Sequence, residues 1–247
     1  MKIILHGASG RMGKMMSEVI SASEGDIAVA LVSPDYITDP DAGTYNSISE
    51  CNTDADCIVD FSTHSATPSL LEYAAKRSIP VVIATTGHTE TELDAINSAA
   101  QRIPIFFASN MSLGVAVLVQ IAKKAAAAFP GADIEIIEAH HNQKLDAPSG
   151  TAKTLFEAIR SVREHAWAKF GRHGLEKRTK DEIGIHSIRA ASIVGRHEVI
   201  IAAPGETLTL THEAHDRSLF ANGALAAAHF IGAKAARLYS MPDMIGD

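Results

Sequence analysis

His140, His141 and Lys144 stand together in the run Glu138-Ala139-His140-His141-Asn142-Gln143-Lys144-Leu145-Asp146-Ala147-Pro148-Ser149-Gly150-Thr151-Ala152. The run lies between an apolar strand-like segment and an amphipathic helix-like one, a position where functional residues concentrate. Imidazole exchanges a proton near neutral pH. A lysine beside it can hold a carboxylate or polarise an imine. Ser149-Gly150-Thr151 opens the next helix, whose first amides and partial positive charge suit an anion. Paired histidines can also ligate zinc, but adjacent residues rarely share one ion, and the sequence has no His-Glu-x-x-His motif and only two cysteines, Cys51 and Cys57. No metal is expected.

A second constellation is Gly7-Ala8-Ser9-Gly10-Arg11-Met12-Gly13, between the first apolar run and the first helical one. In a dinucleotide-binding loop the first glycine permits the turn, the second admits a pyrophosphate to the backbone and the third lets helix and strand close up. The spacing is G-x-x-G-x-x-G, so a plain turn stays open as the other reading. The second strand ends Ala30-Leu31-Val32-Ser33-Pro34-Asp35. No acidic residue stands at its tip, Ser33 can hydrogen-bond there, and Pro34 displaces Asp35. Without a carboxylate to repel a 2′-phosphate, NADPH should be tolerated beside NADH, with Arg11 as the nearest cation. Three later strand tips are polar and glycine-marked as well: Asp60-Phe61-Ser62-Thr63, then Ala84-Thr85-Thr86-Gly87, then Ala108-Ser109-Asn110-Met111. In open α/β sheets ligands lie outside the carboxyl ends of strands, so these tips would line one cofactor groove. Turn chemistry alone also favours Ser, Thr, Asn and Gly.

The elements that must carry these groups follow from hydrophobic periodicity. Strands are expected at 3–6, 27–32, 57–61, 80–84 and 103–108. Helices are expected at 12–20, 66–76 and 89–99, the last with a Thr89/Glu92 capping box. Short continuous apolar strands alternating with helices mean a parallel sheet covered on both faces. After residue 110 the pattern changes: a helix at 113–129, a strand at 134–139, a helix at 151–163, a charged surface loop at 164–182, strands at 185–190, 198–203 and 207–213, and a helix from about 219 to 238. Three strands without intervening helices imply a mixed or antiparallel sheet. The fold expected is α/β, a Rossmann-type doubly wound parallel sheet plus an α+β half.

The 247 residues carry a net charge of −7 with 46% hydrophobic residues. That balance argues against nucleic acid as a partner, because phosphate binding needs a basic face. No leader and no membrane-length apolar run is expected, and two free thiols fit a reducing cytoplasm.

The run from Glu138 to Ala152 resembles the signature of the 4-hydroxy-tetrahydrodipicolinate reductase (dihydrodipicolinate reductase) family of diaminopimelate and lysine synthesis. The likeness continues through Gly7–Gly13, Val59–Ser62, Ala84–Gly87, Ser109–Ser112, Gly184–Arg189, Val194–Val199 and Phe220–Ala224. It implies a dinucleotide-binding domain of residues 1–110 plus 219–247 and a substrate-binding and tetramerisation domain of residues 111–218. It implies a cytoplasmic homotetramer that reduces a small dicarboxylate heterocycle, a hydride passing from NADH or NADPH to C4 after the 4-hydroxyl leaves as water. His140 would be the proton donor and acceptor and Lys144 a second donor, with His141, Gly150 and Thr151 on the substrate carboxylates. Gly7, Ala8, Ser9, Gly10, Arg11, Met12, Ser33, Phe61, Ala84, Thr85, Thr86, Ala108, Ser109, Asn110 and Met111 would hold the cofactor. Many relatives carry an acidic residue at the end of the second strand, and this chain departs there.

Other classes fit less well. A short-chain dehydrogenase needs Tyr-x-x-x-Lys, and none of Tyr36, Tyr45, Tyr73 and Tyr239 has a lysine four residues on. A dehydrogenase of another amino-acid pathway would share the glycine loop and lack the His140–Thr151 run. A non-enzymatic NAD(P) sensor would have no use for His140 and Lys144 beside an anion site.

Overall fold

Short runs of Ile, Val and Leu too apolar to alternate suit strands buried on both faces, which helices must cover. The computed structural model describes residues 1–246. Its first half runs β1 (Lys2–His6), α1 (Arg11–Ala22), β2 (Ile27–Val32), β3 (Thr44–Tyr45), β4 (Cys57–Asp60), α2 (Thr67–Arg77), β5 (Val81–Ile83), α3 (Glu90–Ala99) and β6 (Pro104–Phe107). There follow α4 (Leu113–Ala128), β7 (Asp133–His140), α5 (Gly150–Arg160), β8 (Trp167–Phe170), β9 (Glu182–Arg189), β10 (Gly195–Ala203), β11 (Glu206–Ala214), α6 (Ser218–Ile231), β12 (Arg237–Tyr239) and α7 (Met241–Ile245). The chain divides into two units, Met1–Ser112 with Ser218–Asp247, and Leu113–Arg217. No helix among the described residues is long and apolar enough to cross a membrane.

The first unit is a parallel seven-stranded sheet in the order β12-β6-β5-β4-β1-β2-β3. Ile4, Ile58, Val81, Ile83 and Ile105 pack with Leu70, Leu71 and Ile96 of α2 and α3 in one core. α1 and α6 lie against each other and against the sheet. The expected capping box forms, Thr89 accepting from the Glu92 amide while the Glu92 side chain accepts from the Thr89 amide. Register aligns the carboxyl ends: His6 pairs with Val32 and Asp60, Asp60 with Ile83, and Ile83 with Phe107. The glycine loop and the polar tips therefore leave the sheet at one edge.

The second unit is a mixed five-stranded sheet, β11-β10-β7-β9-β8. β7 runs parallel to β9 and antiparallel to β10. Ile134, Ile136, Ile183, Ile185, Val199 and Ile201 pack against Leu118, Ala122, Leu155 and Ile159 of α4 and α5. The β10–β11 hairpin turns on Pro204-Gly205, with Gly205 at φ +88°. Proline presets the first position of such a turn and glycine takes the left-handed second.

Two expectations are corrected. Residues 164–182 are not all surface loop: Trp167–Phe170 pairs with β9 as the edge strand β8. Trp167 and Phe170 stay 43% and 65% exposed there, so no buried period marks the strand in sequence. The last helix does not reach 238: α6 stops at Ile231, and Arg237–Tyr239 adds β12 beside β6. Edge pairing and the burial of Tyr239 win over a helical period that Gly232 weakens.

Candidate active site

The glycine loop has the geometry a phosphate cradle needs. Gly7 sits at φ +82°, and a Cβ there would lie 2.6 Å from the Phe61–Ser62 backbone. A Cβ on Gly13 would collide with the Gly7 carbonyl and the Ala8 backbone, so helix and strand close only around glycine. Gly10 caps α1 without any side-chain hydrogen bond to the helix amides. Arg11 and Gly10 are exposed and Met12 half-buried in the first turn. Uncapped helix amides and a backbone without side chains fit a dinucleotide pyrophosphate.

Asp60 ties the strand tips together. Fully buried, it accepts from His6 Nδ1 (2.9 Å), Ser62 Oγ (2.6 Å) and Thr85 Oγ1 (2.7 Å). The Thr85 hydroxyl is thereby turned into the sheet edge, and the Met111 side chain is buried with α6 glycine Gly223 pressed on its carbonyl. Ala84 and Ala108 hydrogen-bond their neighbouring strands through their amides. Thr86 and Ser109 are exposed, and the Asn110 side chain accepts from the Ser112 amide.

At the end of β2 the structure differs from the sequence reading. Ser33 is buried and its hydroxyl lies 2.6 Å from that of Ser9. Ser9 also donates to Asp35 at 2.6 Å. Pro34 does not carry the carboxylate away: the turn from Ser33 to Tyr36, closed by a Tyr36 N–H to Ser33 carbonyl bond, brings it back to the glycine loop.

In the second unit, β7 ends at His140, with His141 and Lys144 in the turn that follows and the Lys144 amide donating to the His141 carbonyl. His140 Nδ1 lies 2.6 Å from Glu138 Oε2. Glu138 is fully buried and also receives both Arg189 Nη atoms (2.7 and 2.8 Å) and the Ser149 amide. Burial alone would raise its pKa, but the bonds from Arg189 and His140 outweigh it and hold the carboxyl at about 2. His140 is pushed below the ordinary imidazole range, first by burial and then by Lys144 and Arg189, against the pull of Glu138. Gly195 makes room for the ring, since a Cβ would stand 3.2 Å from Nε2. The Lys144 ammonium lies 2.8 Å from Asp146. Ser149 caps α5 through the Ala152 amide, and a Cβ on Gly150 would meet open space. Thr151 follows in the first turn of the helix.

Sequence reasoning assigned no role to Glu138, Arg189 or His197. His197 packs edge-on to His140 at 5.1 Å, lies 3.1 Å from Ser149 Oγ, and is lowered to about 4 by burial and by His140. Its β-strand periodicity makes it look like any inward residue. Glu138 lies within the quoted signature, but only the pairing of β7 with β9 reveals its partner Arg189, fifty-one residues away.

Comparison with known proteins identifies the family. Family models described as dihydrodipicolinate reductase match at the N-terminus over residues 1–111 and at the C-terminus over residues 114–245. The 4-hydroxy-tetrahydrodipicolinate reductase of Caldanaerobacter subterraneus subsp. tengcongensis is 44% identical over 249 residues, covering 99% of this chain and 98% of the relative. That of Clostridium novyi is 44% identical over 246 residues with the same coverage of both chains. The solved dipicolinate-bound dihydrodipicolinate reductase of Paenisporosarcina sp. TG-14 superposes with a TM-score of 0.84 at 25% identity, over 99% of this chain and 98% of that one. Two family matches that together span nearly the whole chain, and relatives alike from end to end, mean that it belongs to the dihydrodipicolinate reductase family, whose matched members carry the name 4-hydroxy-tetrahydrodipicolinate reductase.

Proposed function

We propose that the chain reduces 4-hydroxy-tetrahydrodipicolinate to tetrahydrodipicolinate with NADH or NADPH, a step of diaminopimelate and lysine synthesis. The observation that carries the reading is the proton-transfer constellation. His140 hydrogen-bonds a buried carboxylate through Nδ1, and Lys144 and the first turn of α5 follow on the same connection.

The net change removes a hydroxyl as water, adds hydride at C4 and consumes one proton. A reduced nicotinamide, held at the tips of β1, β2, β4, β5 and β6, supplies the hydride when bound. The backbone of Gly7, Ala8, Ser9, Gly10, Arg11 and Met12 would hold the pyrophosphate, and Ser33 and Ser9 would bind the ribose. Phe61, Ala84, Thr85, Thr86, Ala108, Ser109, Asn110 and Met111 flank the remainder, Thr85 and Met111 through backbone because their side chains are turned inward. His140 exchanges the proton at Nε2, and Lys144, released from Asp146 by a substrate carboxylate, is the second donor. His141 and the amides of Gly150 and Thr151 hold the carboxylates, where a helix N-terminus offsets the protein's overall negative charge.

We assign residues 1–110 and 219–247 to the cofactor, and 111–218 to substrate binding and assembly. The outward face of the five-stranded sheet bears Ile137, Ile188 and Ile200, none of them fully buried. That face supports a homotetramer, measurable by light scattering. The chain's place would be the cytoplasm, where substrate and reduced cofactor are made.

The test is oxidation of NADH or NADPH, followed by absorbance, with enzymatically generated 4-hydroxy-tetrahydrodipicolinate. Turnover is expected with at least one cofactor, and none with either would overturn the reading.

A further inference from the structure

We propose that Glu138 and Arg189 are positioning residues that fix the tautomer of His140 and set the pH range over which it delivers its proton. This rests on the reading of His140 as the proton-transfer group.

The argument is geometric. A carboxylate is an acceptor only. Glu138 Oε2 at 2.6 Å from His140 Nδ1 therefore requires the proton on Nδ1 and leaves Nε2, on the Gly195 side, as the atom that exchanges. The carboxylate cannot itself take that proton away. Arg189 clamps both of its oxygens, the Ser149 amide adds a third donor, and the group is held near 2. Arg189 also donates to the Asp146 carbonyl at 2.6 Å, so one guanidinium anchors the strand carboxylate and the loop that carries Lys144.

The charges around His140 come from every element against it. Glu138 lies on its own strand, Arg189 at the end of β9, His197 on β10, and Lys144 with Asp146 on the following loop. Lys144 and Arg189 disfavour the imidazolium, and Glu138 favours it. His197, at about 4, is neutral at neutral pH and serves as an uncharged wall. A buried ion pair of this kind can be broken from either side, and the two breaks act oppositely on the ring between them.

Proton delivery needs the imidazolium, so kcat falls as pH rises through the His140 pKa. Glu138→Gln removes the group that favours the charged ring, and the descending limb of the kcat profile should move down by about one pH unit. Arg189→Gln leaves the carboxylate unopposed, and the limb should move up by a similar amount, about one unit. The Kd for NADH should not change in either variant. A purely structural role would lower activity in both without moving the limb in opposite directions.

His140→Gln separates the two readings. If it is inactive and neither variant moves the limb, the positioning role is overturned while His140 keeps its own. If His140→Gln retains normal turnover, the assignment of His140 fails first. In the double variant His140→Gln/Glu138→Gln, residual turnover should equal that of His140→Gln alone, and a further loss would overturn action through the ring. Should Glu138→Gln not fold, Arg189→Gln decides alone: an upward shift supports the proposal and an unmoved limb overturns it.

Discussion

Asp35 accepts a 2.6 Å hydrogen bond from the Ser9 hydroxyl, which itself lies 2.6 Å from that of Ser33. Negative charge thus stands beside the glycine loop at the end of β2, where a ribose 2′-substituent is read. It repels a 2′-phosphate and can accept from a 2′-hydroxyl. NADH should be preferred over NADPH by kcat/KM. Asp35→Asn should narrow that preference by about three- to tenfold, the effect shrinking as salt rises. Paired titrations of both cofactors at two ionic strengths check this. An unchanged ratio would remove Asp35 from cofactor selection.

Asp60 carries a different load. Its four hydrogen bonds join the tips of β1, β4 and β5 from a fully buried position. Asp60→Ala leaves His6, Ser62 and Thr85 without their acceptor, at a cost of about 2–4 kcal/mol. For a chain this size that lowers Tm by roughly 5–15 °C. NADH binding should weaken as well, because Thr85 and Ser62 lie at the strand tips proposed to hold the cofactor. Asp60→Asn, which keeps one acceptor, should lose less on both counts. Scanning calorimetry and NADH titration report them, and an unaltered Tm in Asp60→Ala would show that the strand tips hold themselves.

The alternating elements of the first unit were legible in the sequence because their apolar periods are strong and local. What was not legible depends on pairing between distant segments. β3 is only the two residues Thr44 and Tyr45, added to the sheet by register with Leu31 and Val32. β8 is an edge strand whose large residues stay exposed, and β12 follows a helix whose spacing continues past its true end. The candidate site divides the same way. His140, Lys144 and the Ser149 cap are contiguous and could be read. The partners that orient them could not: Arg189 donates to Glu138 from the end of β9, and His197 reaches Ser149 from β10. Asp35 escapes a sequence reading because Pro34 implies a displacement, whereas the turn after Ser33 returns the carboxylate to Ser9.

His140 and Lys144 should be separable by kinetics. His140→Gln removes proton exchange and should reduce kcat by about 100-fold or more. Under the proposed roles Lys144→Ala removes both a cation for a substrate carboxylate and a proton donor, so KM for substrate should rise along with the fall in kcat. The Kd for NADH should stay near the parent value in both, since both residues lie in Leu113–Arg217, outside the unit proposed to hold the cofactor. Steady-state kinetics with a separate NADH titration tests the pair. Near-normal kcat in either variant removes that residue from the chemistry.

His197 makes a prediction about stability alone. Its folded pKa is about 4, against an ordinary value of 6.5, because burial and the His140 ring disfavour the cation. Between those values the unfolded chain binds a proton that the folded chain does not, so stability rises with pH through that window. The contribution is fully present above about 6.5 and is lost as pH falls toward 4, a span on the order of 3 kcal/mol at most. Glu138 does not confuse the measurement, since its own loss comes only as pH falls from the ordinary carboxyl range toward about 2. His197→Phe removes the titration. It also leaves Ser149 Oγ without its 3.1 Å ring partner, a penalty that does not depend on pH in this range. The variant should therefore be less stable than the parent at pH 7 and lose less on going from pH 6.5 to 4.5. Denaturation midpoints at closely spaced pH values compare the slopes. Parallel curves would mean that the His197 cation is accommodated in the folded chain and that its burial does not govern the acid side of stability.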